Sequence, residues 1–146
     1  MNRSFQILLW ILFLVVLLLS ALFLIKAKTS TSLECQKKVL EKDSALGKIR
    51  NHQCEEISLS ETIRNYVGAL KELNFEECPT AFKQSFQLHM DAWTAMTEVT
   101  DEYSKLRGEM HDLFDLIKLE DSTGQFTKRL DAIWATWAEV ENSMEE

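Results

Sequence analysis

Phe5 to Ile25 is a run of 21 residues without a charge, interrupted in polarity only by Gln6 and Ser20. Written as an α-helix rising 1.5 Å per residue, it reaches about 30 Å, the hydrocarbon thickness of a bilayer. A helix satisfies its own backbone hydrogen bonds in lipid, so this run demands a transmembrane helix before anything else in the chain is read. A secretory signal has a shorter apolar region, roughly 7 to 15 residues, closed by small residues at a cleavage site. Leu19, Ser20 and Ala21 fit that poorly, and Ser32, Leu33 and Glu34 ahead of Cys35 do not form a lipoprotein box. The expectation is an uncleaved signal anchor at 5–25, preceded by a short tail at 1–4.

Charge around the span gives conflicting signs for topology. Lys26, Lys28, Lys37, Lys38 and Lys42 follow the run and only Arg3 precedes it, which by the positive-inside count puts the following domain in the cytoplasm. A single Arg followed at once by a hydrophobic run, however, resembles a signal sequence that keeps its small tail inside. That start favours a single-pass membrane protein with an extracytoplasmic domain.

Beyond the span the chain is helical in composition, with four Gly and one Pro among 146 residues. Residues 26–50 carry seven Lys or Arg against three acids, whereas residues 51–146 carry eight against twenty. A basic segment beside the membrane suits anionic headgroups, and the acidic remainder repels nucleic acid, which excludes DNA or RNA as a partner. The chain therefore divides into a basic, helical juxtamembrane segment at 26–57 and an acidic helical domain at 58–146.

Periodicity orders that domain. Ser58 and Glu61 form a capping-box spacing ahead of Ile63, Tyr66, Val67, Leu70 and Leu73. Pro79 then opens a stripe at steps of four and three: Phe82, Phe86, His89, Trp93, Met96, Thr100, Tyr103, Arg107, Met110, Phe114 and Ile117. This predicts one long helix over about 79–119, bent at most near Gly108. After the loop signal Asp121-Ser122-Thr123-Gly124, a last helix over about 125–144 repeats Phe126, Leu130, Ile133, Trp137, Val140 and Met144, with Trp134 widening the buried face. Before residue 58, Val39, Leu40, Leu46 and Ile49 suggest a helix continuing outward from the membrane. The fold class is all-α: one transmembrane helix and an antiparallel bundle of three to four helices with coiled-coil-like stripes. Simple hairpins at the two loops set Trp137 opposite Leu106 and Phe86 opposite Tyr66. They turn His89 and Trp93 toward the membrane-proximal helices, away from the last one.

Few residues could carry chemistry. Cys35, Cys54 and Cys78 have neither metal-ligand nor Cys-x-x-Cys spacing, and no metal or cofactor is indicated. Cys54 and Cys78 flank opposite ends of one helix, about 22 Å apart. Antiparallel packing brings Cys35 and Cys78 to the same end, making that pair the candidate disulfide in an oxidising compartment; the alternative is three reduced, half-buried thiols. His89 alone of three histidines lies in a regular apolar stripe, four residues before Trp93. It is either a ligand-binding or pH-sensing group beside Trp93 and Tyr66, or a hydrogen-bonded core histidine. Trp10 suits an interfacial anchor; Trp93, Trp134 and Trp137 suit core packing. Glycine-rich phosphate loops, dinucleotide fingerprints, His-Glu-x-x-His and Gly-x-Ser-x-Gly are all missing from the sequence.

Cys78-Pro79-x-x-Phe82, Phe86, His89, Ala92-Trp93 and Ile133-x-x-Thr136-Trp137-x-x-Val140-Glu141 together resemble a pattern in an uncharacterised group of small exported or membrane-anchored helical proteins of bacteria. The resemblance covers about residues 73–142. With the single span it implies an extracytoplasmic helical fold at a bacterial inner membrane and no particular activity, and a site shared across the group would fall at His89, Trp93, Trp137 and Glu141. The hairpin geometry above separates the first two of these from the last two. The functional expectation is a non-enzymatic interaction or structural protein of the cell envelope, embedded by its single span and packing its helices onto another envelope protein. The alternatives are a phage-type or toxin-type envelope-acting protein, and a ligand-binding helical domain built on His89 and Trp93.

Overall fold

The computed structural model describes residues 3–144, so residues 1 and 2 of the tail and the last two residues lie outside it. Among these residues there are five α-helices, α1 (Arg3–Gln53), α2 (Leu59–Lys71), α3 (Thr80–Thr100), α4 (Met110–Glu120) and α5 (Gln125–Asn142), with a 3-10 turn at Asp101–Tyr103. Among the described residues there is no strand.

One helix near the N-terminus is long and apolar enough to cross a membrane, and it is α1. No glycine or proline falls between Arg3 and Leu46, so nothing in the sequence breaks the backbone ladder where the apolar run gives way to Lys26. From Trp10 through Lys26 every side chain is exposed. The helix then becomes amphipathic. Cys35, Val39 and Asp43 are buried, so the same rod that carries the apolar run forms one wall of the bundle.

The α2 start is fixed by Ser58, whose Oγ accepts from the Glu61 N–H at 3.2 Å. The end of α5 is tied back to α1 by Gln36, which is buried and donates Nε2 to the Ser143 carbonyl at 3.4 Å. Between them α3 is the central helix, packed on α2 along one side and on α5 along the other. Its Phe82, Phe86 and Met96 are fully enclosed, with Ile63 and Leu70 of α2 and Ile133 and Val140 of α5 in the same core.

The expected single helix over 79–119 is corrected to two helices separated by residues 101–109. Thr100 turns its hydroxyl onto the Met96 carbonyl at 3.1 Å, the chain tightens into the 3-10 turn, and Gly108 adopts φ 156°, a conformation that side-chain-bearing residues rarely take. The segment is held by tertiary partners that periodicity cannot register. The Gly108 N–H donates to the Cys54 carbonyl at 3.1 Å, and Arg107 donates to the carbonyls of Glu56, Ser104 and Leu106. Because α4 is a separate element, α5 packs alongside α3 in a different register. Arg129 pairs with Glu98, and Thr136 meets His89. Trp137 therefore lies against His89, with ring centroids 5.2 Å apart, and Tyr66 meets Trp93 at 5.5 Å. Trp134 is corrected as well. It is 57% exposed, because it sits one residue past Ile133 and so turns out of the α3 contact.

Candidate functional site

Between α1 and the facing sides of α3, α4 and α5 lies a half-open cleft of about 270 Å³. Its floor originates in an interrupted stripe on α1. Gln36, Val39, Asp43, Leu46 and Arg50 recur at steps of three and four, so they share one helix face, and three of the five are polar. That face packs inward regardless. Asp43 is only 8% exposed, and Arg50 is half-buried.

Each buried polar group has a defined role in the wall. The Tyr66 hydroxyl donates to Asp43 Oδ1 at 2.5 Å. Burial pushes the Asp43 carboxyl above its usual value, partly opposed by this hydrogen bond and by the charge of Arg50. Burial also raises the Tyr66 phenol. The Arg50 guanidinium lies against two rings, its carbon 4.2 Å from the Trp93 centroid and 4.5 Å from that of Tyr66. Its Nε and Nη2 donate to Asn51 Oδ1 at 3.3 and 3.0 Å.

On the far wall, His89 is 3% exposed and both ring nitrogens are engaged. The Thr136 hydroxyl lies 2.9 and 3.0 Å from the carbonyls of Ala132 and Ile133, to which it donates, so it accepts from His89 Nδ1 at 3.1 Å. Trp93 Nε1–H then donates to the unprotonated His89 Nε2 at 3.0 Å, which assigns the neutral Nδ1–H tautomer. Burial, reinforced by the charge of Arg50, lowers the His89 pKa to about 4. The ring is a neutral strut, with no nitrogen left for a ligand.

The structure brings His89, Trp93 and Trp137 together, correcting the separation inferred from hairpin geometry. Glu141 joins through Trp137, accepting from its indole N–H at 2.9 Å on the exposed side. Cys35 and Cys78 are joined by a disulfide that links α1 to the start of α3, and Cys54 is a buried, unbridged thiol. Burial raises the Cys54 pKa, which makes it a poor nucleophile. Asp43, Arg50 and Asn51 were missed from sequence because charged residues break an apolar stripe. The signal that could have found them is the Asp43 to Arg50 spacing of seven, in register with Val39 and Leu46.

No protein-family model, no curated protein sequence and no solved structure matches the chain.

Proposed function

We propose that this chain is a single-pass, non-enzymatic recognition module of the bacterial envelope, tethered in the inner membrane with its bundle on the extracytoplasmic side. The observation that carries this reading is the continuity of α1 from the apolar run into the wall of the cleft. A rod without a hinge fixes the bundle's height and orientation above the lipid, which suits a module that meets a membrane-bound partner. The extracytoplasmic side is favoured by the Cys35–Cys78 bridge, because such bonds persist in oxidising compartments and are reduced in the cytosol. A binding role is favoured over turnover by His89, whose two ring nitrogens are both engaged within the domain.

Two measurements on intact cells test the reading. A cysteine placed at Ser122, in the exposed α4–α5 loop, is expected to react with a membrane-impermeant maleimide before lysis. Photo-crosslinkers at the exposed Leu88 and Leu119 are expected to capture a defined membrane-protein partner. Protection of Ser122→Cys until lysis, or a chain that stays an uncrosslinked monomer, overturns the proposal.

A further inference from the structure

The charges around the cleft do not match one another. Arg50 is oriented by the Asn51 amide, a neutral acceptor that positions a guanidinium without neutralising it. Among the described residues, no carboxylate lies within 4.0 Å of Arg50, although acids far outnumber bases in the domain. The two carboxylates whose fields reach it each have a donor of their own. Asp43 takes the Tyr66 hydroxyl, and Glu109 takes the ring and backbone N–H of His111. Lys48 and His111 line the same opening.

The remaining walls are aromatic. Trp93 and Trp137 form the interior, and the exposed Trp134 stands at the lip. A large indole 57% exposed beside a cavity has no packing reason to be there, and aromatic residues of this kind are enriched where ligands are gripped. The volume falls just under the roughly 300 to 1,000 Å³ that encloses drug-sized molecules, so the occupant is small.

We infer that the cleft binds a small organic carboxylate with a flat apolar body, its acid group paired to Arg50 and its body held among Trp93, Trp134 and Trp137. This deepens the recognition-module reading by giving the recognised group a chemistry. It fails separately, since it concerns the purified protein and the cell experiments concern topology and partners.

The test uses the full chain in detergent micelles, with 3-phenylpropionate as the probe and 3-phenylpropionamide as its neutral isostere, read by tryptophan fluorescence at pH 7. The acid is expected to give a saturable change with a millimolar or tighter Kd, and the amide to bind at least about tenfold more weakly. Arg50→Gln is expected to abolish the preference for the acid. Trp134→Ala, which removes an exposed side chain and leaves the fold intact, is expected to weaken the acid about threefold or more. Melting curves show whether Arg50→Gln is folded; if it is not, the Trp134→Ala result and the acid-to-amide ratio decide. Absence of saturation up to about 10 mM acid, equal affinity for acid and amide, or unchanged binding by Trp134→Ala overturns the inference.

Discussion

His89 and Asp43 are 3% and 8% exposed and titrate in opposite senses, so the acid response of the domain can be assigned to individual side chains. Folding holds the His89 pKa at about 4 against 6.5 in an unperturbed histidine. As pH falls, the unfolded chain takes up this proton first. The His89 contribution is therefore present above about 6.5 and lost between 6.5 and about 4, with an upper bound of about 3 kcal/mol. Asp43 opposes it, because a carboxyl held above its usual value favours the fold more as pH falls. Urea denaturation in an Asp43→Asn background is expected to show a fall in stability over that window, and adding His89→Gln is expected to flatten it. A second residue-scale contrast concerns glycine. Gly108 has φ 156°, and a Cβ there would lie 3.4 Å from Leu113 Cδ2, whereas a Cβ on Gly68 within α2 would meet nothing within 4 Å. Gly108→Ala is expected to destabilise by about 1 to 3 kcal/mol, and Gly68→Ala to stabilise by about 0.5 to 1 kcal/mol, both read from denaturant midpoints.

At the scale of elements, the disulfide is the one covalent link between helices. It closes a loop across 43 residues and holds the start of α3 against α1, just outside the apolar run. Chain entropy puts its contribution at about 4 kcal/mol, with measured bridges more often at about 2 to 4. A Cys35→Ala, Cys78→Ala double variant is expected to lose stability by this amount in chemical denaturation, and a reductant is then expected to have no effect on its midpoint. The separate α4 also belongs to this scale. Its N-cap, Glu109, accepts from the His111 N–H at 2.7 Å, and the segment before it is fastened to the α1–α2 turn through Cys54 and Glu56. The stripe from Phe82 to Ile117 keeps its period through this break because both halves bury one face. A periodic pattern reports which side chains go inward, and it is silent on whether the backbone between them stays in one rod.

In the whole molecule, the apolar run and the bundle are mechanically continuous but energetically separate, since no described side chain from Trp10 to Lys26 is buried. A chain starting at Lys28 is expected to be water-soluble, helical and cooperative, with unfolding free energy within about 1 kcal/mol of the full chain in micelles. Loss of a cooperative transition on that truncation would show that the span supports the fold. The sequence by itself determined the long apolar helix near the N-terminus, the all-helical class, and the faces that α2 and α3 bury, because hydrophobic period and capping are local properties carried by neighbouring residues. It did not determine the register of α5 on α3, nor the meeting of His89 with Trp137 and Thr136. Those follow from the 101–109 break, whose hydrogen bonds reach residues about fifty positions earlier. Nor could it place Asp43 and Arg50 inside, since charged groups are buried only where Tyr66, Asn51 and Trp93 from other turns and helices are present to stabilise them. That arrangement exists only once the tertiary structure has formed.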